Sequence, residues 1–386
     1  MQEKFHTSHL IRLTSLLTSL WIFASCIDTF DAELPSSETT YIVVEGSICG
    51  DSDCTFTLSK SMPLNPSAQD ILTRFISDAL VCVCGSDNVR YQASLIKDGT
   101  YKVHVDALNA NQEYWLEIQW DGHTFTSTPT KPLFTPEIKS VTFEQPREDK
   151  QVEILITPAA PLQKETQCFI WSYEENWEIH TPYDTKWEYD VVLDEIVPRT
   201  IDLHRGWCSS LYHTPIIGEN TNYTNGEIRN LRLYSVSNLD NRFNHLYCTS
   251  ITQRAVSREE YEYERLSQRQ SDEMGGLFTP QPSELPTNIH CTDGGAKAIG
   301  YIGVSLNAQL ARLYIESSDV GYRLVNFPAQ PTEDQLELTS AELYRLGFRV
   351  EEYDSLSGQI TWVQRWGVDC TVWGATLIAP DFWPNK

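Results

Sequence analysis

The sequence predicts a mainly β protein, with an N-terminal immunoglobulin-like β-sandwich over residues 39–130 and a larger β-rich domain over 131–386 that contains one embedded helix. Three observations support this fold class. Short runs rich in β-branched and aromatic residues recur between turn signals. Three prolines between residues 129 and 136 interrupt these runs, and a helical pattern covers 258–273. The 386 residues suit two domains of about 100–200 residues each.

The first domain begins with the strand Tyr41–Gly46, a β-branched run that ends at a glycine. Asp98-Gly99 and Asp121-Gly122 are hairpin signals between later runs. About seven short strands over such a length are typical of an immunoglobulin-type sandwich. The further strands are predicted at 54–59, 79–84, 89–96, 100–105, 113–120 and 123–127.

The second domain is predicted to add more strands and the helix. Ser257 and Glu260 have the spacing of a capping box, in which Ser257 caps the helix and Glu260 reaches back to the cap amide. Helical spacing follows from Tyr261, and Gly275-Gly276 ends the helix. The strands are predicted at 138–144, 151–157, 167–174, 187–192, 229–236, 245–252, 297–304 and 310–316.

The N-terminus has the composition of a bacterial secretion leader. Lys4 and Arg12 form a positive n-region before an apolar stretch, Leu13–Ala24. This stretch is too short to cross a bilayer but long enough for a signal-peptide core. The small residues before Cys26 resemble a lipobox. This resemblance implies a signal peptide over 1–25 and acylation of Cys26, and the alternative is a plain secreted protein with an ordinary cleavage site.

Residues 26–38 are predicted to form a lipidated tether. The acidic residues Asp28, Asp31 and Glu33 resemble the export signal of surface lipoproteins in the Bacteroidota, and the alternative is a solvated acidic linker. Acyl chains give stable anchoring without a transmembrane helix. The expected location is therefore the outer membrane, lipid-anchored and facing the cell surface.

The charge balance argues against one class of partner. The chain has 29 basic and 53 acidic residues, a formal net charge of −24. A surface of this sign repels phosphate backbones. We therefore expect no nucleic-acid partner.

Ten cysteines are unusual for a reducing compartment, and nine remain if Cys26 carries lipid, so at least one of them is unpaired or bonded elsewhere. Cys82 and Cys84 lie two residues apart on a predicted strand, so both point to one face, where they could meet Cys49 or Cys54 on a neighbouring strand. Buried free thiols are the alternative, and the lack of a C-x-x-C motif argues against a thiolate zinc site. The candidate disulfide residues are Cys49, Cys54, Cys82, Cys84, Cys208, Cys291 and Cys370.

The sequence contains none of the common catalytic or ligand-binding motifs. It has no G-x-S-x-G elbow, no Walker A loop, no H-E-x-x-H helix and no EF-hand loop. Its nine histidines are scattered, and His204 with His213 is only a weak ligand pair. We therefore expect a protein that is not an enzyme, with no catalytic residues, no metal and no cofactor.

Tryptophan clusters suggest a contact surface. Exposed indoles form flat platforms for sugar rings or protein partners. The alternative is that these indoles fill the core and cover the edges of a β-rich fold. The candidate ligand or partner contacts are Trp171, Trp177, Trp187, Trp362, Trp366 and Trp373.

Several stretches, in order, resemble one family. Tyr41–Gly46 follows closely on the lipid cysteine, Gly275–Phe278 follows the helix, and Asp369-Cys370 and Pro380–Pro384 stand near the end. Together they resemble the Bacteroidota lipoproteins called domain of unknown function 4249. The resemblance runs from about residue 26 to 384 and carries no catalytic residues.

The family resemblance implies a role beside a membrane channel. Lipoproteins of this kind are often encoded next to TonB-dependent transporters, so it implies an accessory subunit of such an outer-membrane barrel, either capturing a ligand or capping the channel. The alternatives are an independent glycan- or peptide-binding surface lipoprotein and a structural subunit of a surface assembly.

Overall fold

Two face-to-face β-sheets enclose the first hydrophobic core in a computed structural model of the chain. Strands make up 46% of the structure and helical segments 14%, which confirms the mainly β class, and the sheets form a sandwich-like arrangement. The predicted signal peptide, the tether with Cys26, His213 and the Gly275-Gly276 helix stop lie outside the described residues. The structure describes residues 41–62, 66–147, 149–160, 167–212, 214–273 (271–273 without side chains), 285–322 and 326–384.

The first part of the chain forms eight strands and one short helix. Its alternation of buried and exposed side chains is clear in the strand Thr100–Val105, where Tyr101, Val103 and Val105 are buried and Lys102 and His104 are exposed. The elements are β1 (Tyr41–Cys49), β2 (Ser52–Lys60), α1 (Ala68–Leu72), β3 (Leu80–Gly85), β4 (Arg90–Gln92), β5 (Ser94–Lys97), β6 (Thr100–Val105), β7 (Tyr114–Trp120) and β8 (His123–Ser127).

The rest of the chain is also mainly strand. The elements are β9 (Ile138–Glu144), β10 (Val152–Pro158), β11 (Cys168–His180), β12 (Trp187–Asp190), β13 (Glu195–Pro198), β14 (Arg205–Leu211), β15 (Ile216–Glu219), β16 (Leu231–Val236), β17 (Leu246–Val256), α2 (Arg258–Glu273), β18 (Ile289–Cys291), β19 (Lys297–Ile299), β20 (Gly303–Ser305), β21 (Gln309–Glu316), α3 (Ser340–Arg345), β22 (Phe348–Asp354) and β23 (Gln359–Gln364).

Strands from far along the chain complete the sandwich. One sheet has the order β19-β1-β2-β6-β5, with β20 also on β1, and the other has the order β18-β8-β7-β3-β4. β19 and β20 run parallel to β1, whereas β18 runs antiparallel to β8. Ile289, Ile302 and Val304 therefore share one core with Phe56 and Leu116. The predicted division at residues 130 and 131 stays a prediction, although the sandwich draws on both sides of it.

The predicted strand over 89–96 is two strands in the structure. β4 pairs with β3 in one sheet, and β5 pairs with β6 in the other. Between them, Ala93 is buried and its backbone N–H donates to the Val81 carbonyl at 2.9 Å. The chain therefore crosses from one sheet to the other at Ala93, a step that a continuous run of strand-forming residues conceals.

A second core lies between two further sheets. β14-β11-β17-β21, with β15 also on β11, forms one sheet, and β16-β10-β9 forms the other. Trp171, Tyr247 and Ile154 are fully buried in this core. A smaller cluster, with Tyr189 and Trp362 at its centre, joins the β12–β13 and β22–β23 hairpins to α3.

The embedded helix is confirmed, with a different role for one capping residue. The Ser257 hydroxyl accepts the Glu260 backbone N–H at 3.1 Å, as a capping residue does. The Glu260 carboxylate pairs with the Arg254 guanidinium of β17 at 2.5 Å. Both side chains are largely shielded from solvent, so this ion pair fastens the helix to the sheet. Among the described helices, none has the length and apolar character needed to span a bilayer.

The nine cysteines of the described part of the chain are all thiols. The disulfide predictions are therefore unconfirmed. Cys49 and Cys54 lie within the sandwich core, whereas Cys82 and Cys84 alternate with the core residues Val81 and Val83 along β3. Cys49 and Cys54 therefore lie on a different sheet and a different face from Cys82 and Cys84. The suggested bonds between these two pairs do not fit this arrangement.

Two pairs of cysteines, Cys82 with Cys84 and Cys208 with Cys370, are close in space. The Sγ atoms of Cys82 and Cys84 are 3.8 Å apart, and Cys208 and Cys370 pack in one buried cluster. Burial raises the pKa of both Cys208 and Cys370 to about 11. These thiols therefore stay protonated at neutral pH and pack as small apolar groups.

Candidate functional site

Two tryptophans near the C-terminus line an open groove. The half-buried rings of Trp366 and Trp373 meet edge to face, with centroids 5.9 Å apart. The groove has a volume of about 640 Å³, and we call it the tryptophan groove. Its lining residues are Leu239, Asn241, Tyr322, Asn326, Phe327, Gln364, Trp366, Val372 and Trp373.

A buried aspartate shapes the segment that carries both tryptophans. Two short 3-10 turns, Arg365–Gly367 and Cys370–Trp373, flank Asp369. The Asp369 carboxylate accepts the Arg365 Nε–H at 2.7 Å and the Thr371 backbone N–H at 3.0 Å. Although burial raises its pKa, hydrogen bonds from Thr371 and Arg365 lower the pKa of Asp369 below its ordinary value. The charged form therefore holds the two turns together.

Backbone hydrogen bonds fasten the same segment to the body of the protein. The Cys370 N–H donates to the Leu203 carbonyl at 2.9 Å, and the Arg199 Nη1 donates to the Val368 carbonyl at 2.8 Å. Val368 and Cys370 are fully buried. The rings of the groove are thus presented on a fixed support, which reduces the ordering cost of binding.

The lining of the groove exposes large apolar side chains. Phe327 is 72% exposed, Leu239 61% and Val372 46%. Fully burying a side chain of this size releases about 1.5–3 kcal/mol. Large apolar side chains that are exposed together in one groove are typical of an interaction site.

Amide side chains stand among these rings. Asn241, Asn326 and Gln364 line the groove. The Gln364 Oε1 accepts the Trp366 indole N–H at 3.1 Å and the Ala329 backbone N–H at 3.2 Å. Aromatic faces beside amides bind extended peptides or sugar rings by stacking and hydrogen bonding.

A second groove also has Trp373 in its lining. It has a volume of about 390 Å³ and is also lined by Trp177, Trp207 and Cys208. The indole nitrogens of Trp177 and Trp207 are buried and have no hydrogen-bond acceptor among the described residues.

The six tryptophans that the sequence singles out divide into three groups. Trp366, Trp373 and Trp177 line the two grooves. Trp187 packs edge-on against Tyr353, with centroids 5.2 Å apart. Trp171 is 0% exposed and Trp362 is 4% exposed, so both are core side chains and cannot contact a surface partner.

A cluster of charged and ring side chains surrounds Glu178 at the end of β11. Glu178 is buried, and its carboxylate accepts hydrogen bonds from Arg205 Nε at 2.6 Å and from the Trp383 indole at 2.8 Å. His180 Nε2 lies 2.7 Å from the same carboxylate. Although burial raises its pKa, hydrogen bonds from His180, Arg205 and Trp383 lower the pKa of Glu178 to about 2. Glu178 is therefore a charged anchor for the C-terminal segment.

Three histidines gather beside Glu178. The His180 ring stacks on His245 at 4.0 Å between centroids and lies 5.2 Å from His204. Burial, together with the nearby His180, lowers the pKa of both His204 and His245. Sequence reasoning missed this group because its members come from separate strand ends. β11 pairs with β14 so that His180 lies opposite Arg205. Because His204 directly precedes Arg205, this pairing brings His180 and His204 together.

Two groups of described side chains have the chemistry of metal ligands. Glu178, His180 and His245 offer ligand atoms within 4.8 Å of one another. The Arg205 guanidinium already bonds the Glu178 oxygen that faces His180, so a cation there would meet a fixed positive charge. The second group is His123, Cys291 and Asp293, on the sandwich.

A family model described as a domain of unknown function (DUF4249) matches residues 27–311 of the chain. Trp366 and Trp373 lie beyond the matched residues. No curated protein matches the chain.

Among solved structures, the chain matches a cryo-EM structure of the native conformation of E. coli alpha-2-macroglobulin. The match has 9% sequence identity and a TM-score of 0.16, and it covers 58% of this chain. The chain spans 14% of the length of that protein.

Proposed function

This chain belongs to the family described as domain of unknown function DUF4249, and we propose that it is a non-enzymatic lipoprotein of the outer membrane. In this proposal Cys26 carries the lipid anchor, and the protein is an accessory subunit of a TonB-dependent transporter. It faces the cell surface, where it captures a ligand for the barrel or caps its channel.

The observation that carries the proposal is the tryptophan groove. It combines half-buried Trp366 and Trp373 with exposed Phe327 and Val372, on a support fixed by buried Asp369. Aromatic anchors in a rigid, partly apolar surface are typical of protein contact sites. In the proposal this groove is the surface that meets the barrel.

Co-purification from gently solubilised outer membranes tests the proposal. We expect the tagged protein to retain a TonB-dependent barrel in near-equal amount, and the double variant Trp366→Ala/Trp373→Ala to lose it. Trp115→Ala is the matched control, because Trp115 is a half-buried indole on β7 of the sandwich. Purification of the wild-type protein alone would contradict the proposal.

A second candidate function is independent binding of glycans or peptides. The amides of Asn241, Asn326 and Gln364 favour it, because they stand beside the aromatic rings as in a sugar-binding site. A glycan array discriminates the two functions. Hits that vanish in the Trp366→Ala/Trp373→Ala variant, in a protein that purifies without a barrel, would favour independent binding.

A further inference from the structure

Three potential metal ligands meet where two loops of the sandwich touch. His123 begins β8, directly after the Asp121-Gly122 turn, while Cys291 ends β18 and Asp293 follows it. His123 Nδ1 lies 2.9 Å from Asp293 Oδ2, and the Cys291 Sγ lies 2.8 Å from Asp293 Oδ1. One ligand atom from each of the three residues lies within 4.8 Å of the other two.

Backbone contacts hold this arrangement in place. The Thr292 N–H donates to the Thr124 carbonyl at 2.8 Å, which fastens the loop after β18 to β8. The Gly295 N–H donates to Asp293 Oδ1 at 2.9 Å. A Cβ on Gly295 would lie 2.7 Å from His123 Cε1, so the glycine allows the loop to approach the imidazole this closely. An outer hydrogen bond that orients a ligating carboxylate is a usual feature of metal sites.

The surroundings of the three residues suit a cation. About half of the Asp293 side chain and a third of the His123 side chain are exposed, so an ion can reach them. Among the described residues, Asp293 forms no ion pair with a lysine or an arginine, unlike Glu178. Cys291 is also the one described cysteine that is not buried. The formal net charge of −24 further favours the approach of cations.

We propose that His123, Cys291 and Asp293 form a zinc-binding site. Imidazole, thiolate and carboxylate are the ligands that Zn²⁺ takes, at about 2.0–2.3 Å, whereas Ca²⁺ and Mg²⁺ take oxygen ligands. On binding, the Cys291 thiol releases its proton to solvent and the thiolate sulfur bonds the metal. Asp293 Oδ1 lies 3.1 Å from His123 Nδ1 and 2.8 Å from Cys291 Sγ. Each of these two distances needs to widen by less than about 1 Å to reach tetrahedral spacing, and water fills the fourth position.

Zinc titration of the purified, metal-free full chain against a chromophoric chelator tests the proposal. We expect one equivalent of zinc to bind tightly. Cys291→Ser, His123→Ala and Asp293→Asn should each weaken binding by roughly 10–100-fold or more. His104→Ala is the matched control, because His104 forms a similar exposed pair with Asp53 at 2.9 Å, and that pair includes no cysteine. Its affinity should equal that of the wild type.

Cobalt gives a readout that the wild-type protein provides by itself, without any variant. Thiolate ligation of Co²⁺ produces a sulfur-to-metal charge-transfer band in the near ultraviolet. The wild-type protein should show this band, and Cys291→Ser should lack it. A wild-type protein that binds no zinc, that shows no such band, or whose zinc affinity is unchanged by Cys291→Ser would overturn the proposal.

Discussion

At the scale of single residues, Glu178 links the central sheet to the end of the chain. Its carboxylate bonds Arg205 of β14 and the indole of Trp383, which lies 205 residues further along the chain. The side chain is only 3% exposed, so solvent screens these contacts weakly. Removing the charge should therefore loosen the C-terminal segment that carries the tryptophan groove.

Glu178→Gln should destabilise the protein. The pKa of Glu178 is about 2 in the fold against 4.5 for the free side chain, a difference worth on the order of 3 kcal/mol at neutral pH. Urea unfolding at pH 7 measures this loss. Glu174→Gln, at an exposed glutamate of the same strand, is the control and should change stability by less than about 0.5 kcal/mol.

The contribution of Glu178 to the free energy of unfolding should depend on pH. Because folding lowers the pKa of Glu178, its contribution is complete above pH 4.5 and is lost as the pH falls toward 2. The difference in unfolding free energy between wild type and Glu178→Gln should therefore shrink over that interval. A difference that stays constant on acidification would show that Glu178 acts through packing and not through its charge.

Contacts between individual side chains are the part of the structure that the sequence predicts least well. Nothing in the spacing of His180, His204 and His245 indicates that their rings meet, because strand pairing and not local sequence brings them together. Clustering in the sequence makes Trp366 a candidate contact, but it does the same for Trp171 and Trp362, which are buried. Such clustering does not distinguish an indole in a core from one in a groove.

At the scale of elements, hydrophobic periodicity predicts much of the fold. The start of α2 and its Ser257 cap follow from local rules that act within one turn. Strands β18 to β20 are different, because their partners β1 and β8 lie more than 150 residues earlier. The predicted strand over 297–304 is two strands in the structure, β19 and β20, and the run of residues does not show the sheet to which either belongs.

Gly300 is the point where the chain passes from β19 to β20 beside β1. Its φ is +146°, and a Cβ there would lie 2.2 Å from the Val44 carbonyl oxygen. Gly300→Ala should therefore destabilise the sandwich by on the order of 3 kcal/mol. Urea unfolding followed by tryptophan fluorescence measures the change.

Gly122→Ala is the matched control for this variant. Gly122 also has a positive φ, +77°, but no atom lies within 4 Å of the place where alanine would put its Cβ. This variant should lose only about 1 kcal/mol, from backbone strain alone. Equal losses in both variants would show that the close approach of Gly300 to β1 contributes nothing to stability.

At the scale of the whole molecule, the described cysteines are thiols and not disulfides. The nine cysteines from Cys49 to Cys370 are free, and eight of them are buried while Cys291 is partly exposed. The composition suggests an oxidising compartment with disulfides, but the count alone does not show which sulfurs meet. Two hydrophobic cores of this size stabilise the fold without covalent links.

Alkylation with mass spectrometry tests the free thiols. In the native protein Cys291 should react first, because the other eight are buried. After denaturation without reductant, all nine should react. Fewer than nine adducts on the denatured protein would mean that disulfides form, with Cys208 and Cys370 the first pair to examine because they share one buried cluster.

Site-specific photo-crosslinking in cells tests the central claim, that the tryptophan groove contacts an outer-membrane barrel. A photoreactive residue at Phe327, an exposed residue that lines the groove, should form a covalent adduct with a TonB-dependent barrel. The same residue at Leu95, exposed on β5 of the sandwich, should form none. No adduct from Phe327, or equal adducts from both positions, would contradict the claim.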